Sequence, residues 1–192
     1  MKKLNRKGFT LIELLAVITI MGILLLVAIP AISRTIENSR RDTYVDVAKT
    51  YINTVRNAVL ADELTCGTNT SVGATANGTY HFDIKTGGTD ATSTQTRDLM
   101  ESGGLSSWSN SNVEGYVVWT KSGSGERTTT SYSVFLVDEG GHGIEGKAGS
   151  GTSITYSAVA ENDLSRSKVS TKTDNKYGSI TATAPGTACT LK

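Results

Sequence analysis

Few residues in this 192-residue chain are of types that do chemistry, and they are scattered. Asp138, Glu139, His142 and Glu145 fall together in DEGGHGIEG (138–146), and the other histidine, His81, stands alone. The stretch has the residue types of a metal site. Its spacing is neither that of HExxH, which puts two imidazoles on one helix face, nor that of an EF-hand loop. Four glycines in nine residues point to a turn, expected here as a solvated loop. SGSGER (122–127) lacks the GK[ST] ending of a phosphate-binding loop. No serine or cysteine sits in a recognisable nucleophile elbow. The reading assigns no catalytic residue, no metal ligands and no cofactor, so the chain is expected not to be an enzyme. Two ionisable features remain. Cys66 and Cys189 lack the short spacing of a zinc knuckle or a redox CxxC. Glu13 lies inside an apolar run, where an ionised carboxylate costs about 2.5–3.5 kcal/mol on insertion scales and marks a functional position.

That run, Phe9 to Ile32, is 24 residues of nearly unbroken apolar character. As a helix it extends about 36 Å at 1.5 Å per residue, enough for a hydrocarbon core of about 30 Å. Lys2, Lys3, Arg6 and Lys7 precede it, which by the positive-inside rule keeps the N-terminus cytoplasmic and sends the rest across the membrane. The run exceeds the 7–15 residues of an ordinary secretory signal core and is followed by no small-x-small cleavage site, so it is expected to be retained. The formal charge of +1 becomes −3 when those four basic residues are removed, which gives no basis for a nucleic-acid partner. In an exported chain an even pair of cysteines suggests a disulfide, with two unlinked thiols as the alternative. A bridge closing more than 120 residues would stabilise by about 4–5 kcal/mol in the chain-entropy view.

KGFTLIELL (7–15) resembles the class III signal of type IV pilins and of the type II secretion and competence pseudopilins: a basic leader, Gly8, Phe9, Glu13 and a long apolar helix occur together. The resemblance implies cleavage between Gly8 and Phe9 by a prepilin peptidase and N-methylation of the new Phe9 amine. It also implies assembly by a dedicated ATPase and membrane platform into a homo-oligomeric helical filament. The subunit would wait in the cytoplasmic membrane and end in an extracellular pilus. The physics agrees. Cleavage creates an amine four residues from Glu13, and the carboxylate of one subunit could neutralise the amine of the next, so Glu13 is expected to set register in assembly. A Glu reaching to water at the headgroup boundary is the plainer alternative. Gly22 and Pro30 weaken the same helix, by about 1 and 3 kcal/mol relative to Ala. They are read as an element that unwinds in the filament, the alternative being tolerated kinks.

Past Ser33 the sequence turns amphipathic. Val45, Ala48, Ile52, Val55 and Val59 recur at spacings of three and four, predicting one helix that continues to about Glu63. Strands are expected over 79–85, 113–121, 130–138, 152–161 and 176–183, with a hairpin loop at SGSGER. A short helix is expected in STQTRDLMESGGL, with Ser93 or Thr94 as its N-cap and Gly103 past its end. The fold class is therefore α+β, a long N-terminal helix on a C-terminal antiparallel sheet. The expected divisions are a leader at 1–8, the helix at 9–63 (9–32 spanning the membrane or forming a filament core) and a β-rich head at 64–192. The pilin head has this order too, with its C-terminal region tied back by a disulfide. A minor pilin or pseudopilin is the runner-up, and a single-span anchor for an extracytoplasmic binding domain is the competing class.

Overall fold

The computed structural model describes residues 8–67, 77–100, 104–124, 127–150 and 153–192. The basic leader residues and the expected helix stop at Gly103 lie outside them. Helix α1 spans Leu11–Leu60, and the chain falls into two compact units, Met1–Ser39 and Arg40–Lys192. In the first unit the apolar side chains of α1 are exposed, Leu24 at 64% and Leu26 at 77%. Gly22 and Pro30 both lie within continuous helix. Pro30 has no N–H to give to the turn before it. Ser33 Oγ donates to the Ile29 carbonyl at 3.0 Å in the turn after it.

In the second unit Tyr44, Val45, Ala48, Tyr51, Ile52, Val55 and Ala58 are buried along one stripe of α1, as spacings of three and four require. The helix stops earlier than Glu63. Asp62 takes a left-handed φ of 56°, Asp62 N–H reaches the Val59 carbonyl and Glu63 N–H reaches the Ala58 carbonyl. This is a Schellman ending with Asp in the place glycine usually fills, a position short polar side chains tolerate.

The strands that follow are β1 (Leu64–Cys66), β2 (Gly78–Lys85), β3 (Val113–Ser124), β4 (Arg127–Asp138), β5 (Gly143–Ile144), β6 (Gly146–Ser150), β7 (Ser153–Ser157), β8 (Val159–Ala160), β9 (Val169–Ser170) and β10 (Thr187–Leu191). Among the described residues the main sheet runs β1-β10-β2-β3-β4-β5-β9, with β8 also paired to β4, and β6–β7 form a separate hairpin. All pairings in the main sheet are antiparallel except β10 with β2. Both faces of the central strands are buried. Phe82, Val117, Val134 and Leu136 share one cluster with the buried stripe of α1. Tyr116, Val118, Phe135 and Val137 form a second cluster on the other face, which is why YVVW and VFLV read as unbroken apolar runs.

Three expectations need correction. The stretch 176–183 is not a strand; it makes only an isolated bridge, Lys176 to Ser179. Its alternation is real, because Ile180, Ala182 and Ala184 pack face-on against the second cluster. The stretch 152–161 is divided between β7 and β8, which belong to different sheets. Helix α2 (Ala91–Leu99) is capped by Asp90, whose carboxylate accepts from Ser93 N–H at 2.8 Å, and not by Ser93 or Thr94. Ser93 is buried instead and donates to the Gly87 carbonyl.

Cys66 and Cys189 face each other across the β1–β10 pair and are bridged, closing a separation of 123 residues. Reduction of the full-length chain in detergent is expected to lower the stability of the second unit by about 2–4 kcal/mol. Urea unfolding followed by the fluorescence of Trp108 and Trp119, both buried in that unit, reads this out. An unchanged midpoint, with both thiols labelling before reduction, would contradict it.

Candidate functional site

The first turn of α1 is built by two polar residues ahead of a wholly apolar stretch. Thr10 is the N-cap: its carbonyl accepts the first helical bond from Leu14 N–H at 3.2 Å. Its hydroxyl oxygen accepts from Glu13 N–H at 3.3 Å. Glu13 answers through Oε2, accepting from both Thr10 N–H and Thr10 Oγ1–H at 2.8 Å each. This reciprocal arrangement is a capping box, and it satisfies two of the donors a helix start leaves orphaned. In low dielectric, where water cannot serve them, those donors are more costly to leave alone. Glu13 thus has a role within its own chain, one that Thr10-x-x-Glu13 spells in the sequence.

Gly8 and Phe9 precede the cap, outside the helix and exposed. A Cβ at Gly8 would meet nothing within 4 Å, so packing does not shield the Gly8–Phe9 bond. An amine freed on Phe9 would stand one residue before the cap. The positive end of the helix dipole disfavours a cation there, and a carboxylate in the first turn offsets that. The structure therefore brings Gly8, Phe9 and Glu13 together at one helix start, with Thr10 as an unforeseen fourth member. Gly22 and Pro30 fall further along the same helix. Cys66 and Cys189 form the bridge in the second unit.

The DEGGHGIEG stretch is a turn but not a solvated one. Asp138 is fully buried at the end of β4. It accepts from Ser106 Oγ at 2.6 Å, His142 N–H at 2.7 Å and His142 Nδ1 at 2.9 Å, with Ser111 Oγ at 3.4 Å. The His142 ring stacks on Trp108 at 4.1 Å, and Trp108 meets Tyr44 of α1 edge-on at 5.6 Å. Burial, with the Asp138 and Tyr51 charges adding, pushes the Tyr44 phenol well up, so it stays neutral. Ser106, Asp138 and His142 are the residue types of a hydrolytic triad in the wrong order. Ser106 donates straight to the carboxylate, so the imidazole does not stand between them as a base must. The cluster pins the 104–112 loop and the β4–β5 turn to the core. Among the described residues no group of three His, Cys, Asp or Glu side chains is arranged to hold a metal ion.

Residues 3–29 match the family model of the prokaryotic N-terminal methylation motif, the class III signal motif of type IV pilins. The match takes in Gly8, Phe9, Thr10, Glu13 and Gly22 and ends one residue before Pro30. Among curated proteins and among solved structures, none matches the chain. The motif supports a pilin-like or pseudopilin-like protein. Helix α1 is the one helix among the described residues long and apolar enough to cross a membrane.

Proposed function

We propose that this chain is the structural subunit of a type IV pilus-like filament. It is held in the cytoplasmic membrane by Phe9–Ile32 with its N-terminus inside. A prepilin peptidase cuts the leader 1–8 between Gly8 and Phe9, and the Phe9 amine is methylated. The ATPase and platform machinery then moves the helix out of the bilayer into a homo-oligomeric extracellular filament. Head-to-tail packing by an operator that does not close gives such an open polymer. The observation that carries this reading is the methylation motif running into an apolar helix none of whose most hydrophobic window is buried inside the chain. An unpartnered apolar surface of that extent requires lipid or other copies of itself.

Glu13 serves in both settings. In the lone subunit its Oε2 closes the cap on Thr10. In the filament the carboxylate also neutralises an incoming Phe9 amine, which makes the stagger between subunits a matter of charge as well as shape. Gly22 and Pro30 lower the cost of unwinding the stretch between them when neighbours crowd around it.

Intact-mass analysis of protein from the native host tests the reading. A chain lacking residues 1–8 and carrying one methyl group on Phe9, recovered in sheared surface filaments, is the expected result. An intact Met1 end on a protein confined to the membrane fraction would defeat it in favour of a single-span anchor.

A further inference from the structure

The outer face of the sheet carries a cleft of about 270 Å³ between β2–β3 and the extended 180–184 segment. Its polar lining is lopsided: Asp83, Asp90 and Glu114 against the single cation of Lys85. Two of these carboxylates already have partners. Asp90 pairs with Lys85 Nζ at 2.6 Å and caps α2, while Glu114 accepts from Gly178 N–H at 2.5 Å. Asp83, its side chain 53% exposed, accepts no hydrogen bond among the described residues, and His81 Nε2 lies 3.9 Å from it. Directly across from Asp83, in register on β3, stands Tyr116. It lines the same cleft and is only 3% exposed, and its hydroxyl has no hydrogen-bond partner. A buried hydroxyl left unpaired costs about 1–3 kcal/mol, so the floor of an acidic cleft holds one polar group with nothing to bind.

We propose that this cleft is a binding site for a primary alkylammonium group. An ammonium offers three donors to the acceptors left over, the Asp83 carboxylate, the second oxygen of Glu114 and the Tyr116 hydroxyl. The apolar 180–184 segment, with Ile180 and Ala182, covers the alkyl stem. At the small end of ligand cavities, the volume suits one short chain. Partial desolvation by its neighbours holds the half-exposed Asp83 carboxyl above its usual range, burial holds the Tyr116 phenol up at about 12, and a cation would reverse the first shift. No triad of metal-ligating side chains competes for the space among the described residues. The site is independent of whether the chain polymerises.

The test uses the full-length, ¹⁵N-labelled chain in detergent, titrated with n-butylammonium chloride at constant ionic strength. Saturable shifts of the Gly115 and Gly178 amides are expected, with a Kd of about 1 mM. Asp83→Asn should weaken binding at least tenfold and Tyr116→Phe several-fold, with the remaining β2 and β3 amides unmoved. A second arm uses Nα-acetyl-lysine N-methylamide. Tighter binding than n-butylammonium identifies a lysine side chain as the natural occupant, and equal or weaker binding a small free amine. Shifts that never saturate, equal binding of neutral N-butylacetamide, or unchanged affinity in Asp83→Asn would each overturn the proposal.

Discussion

Glu13→Gln is expected to cut filament yield at least tenfold, a loss of about 1.4 kcal/mol or more in assembly, while membrane insertion stays at the native level. The variant isolates charge from geometry. A glutamine at the third helical position keeps the carbonyl that accepts from Thr10 N–H, so the capping box survives. Only the negative charge is lost. Thr10→Ala makes the converse change: it removes the side-chain half of the cap, worth about 1 kcal/mol, and leaves the carboxylate in place. If charge pairing with the Phe9 amine governs assembly, Thr10→Ala should still make filaments and Glu13→Gln should not. The reverse pattern would show that the cap is what assembly requires, and normal filaments from both would remove Glu13 from the proposal. Sheared-filament yield against membrane-fraction abundance is the measurement.

Asp138→Ala is expected to destabilise the second unit by about 3–5 kcal/mol, enough to unfold many domains of this size. The substitution strands the Ser106 hydroxyl, the His142 amide and the His142 ring in a site with almost no water. It also loosens the platform on which Trp108 lies against Tyr44. Asp138→Asn keeps an acceptor of the same shape but turns part of it into a donor facing donors, so a smaller loss of about 1–3 kcal/mol is expected. Urea unfolding monitored by tryptophan fluorescence measures both. A loss under 1 kcal/mol for the alanine variant would mean that the network orders loops without supporting the core.

The elements legible from sequence are those whose burial leaves a periodic mark. The α1 stripe follows from spacings of three and four, the two long central strands from short unbroken apolar runs, and the α+β class from the order of the two. The misreadings have separate physical causes. Alternation in 176–183 signals one buried face but not edge pairing, and here the buried face lies flat on a sheet whose central strands are already paired. β10 is five residues after Pro185 of which only Cys189 is buried, so it leaves no periodic mark and is recognisable only from the partners on either side. Asp90 was passed over because it sits outside the polar cluster that looked like the cap. The glycines after Asp138 signal a turn but not its burial, and a turn can be buried when its own carboxylate consumes its donors. Thr10 is legible as the first member of a Thr-x-x-Glu capping box, since Glu13 needs a donor as much as a counter-charge.

β10 lies between β1 and β2, so a late segment of the sequence occupies a place between two early strands. Without it β1 has no neighbour in the sheet and β2 has one open edge. Lys192 N–H closes on the Glu63 carbonyl and its ammonium on Asp62, tying the very end of the chain to the end of α1. The sheet therefore closes only when a segment far along the sequence returns to lie beside its first strands. A chain cut short before β10 would display raw strand edges and a lone thiol at Cys66.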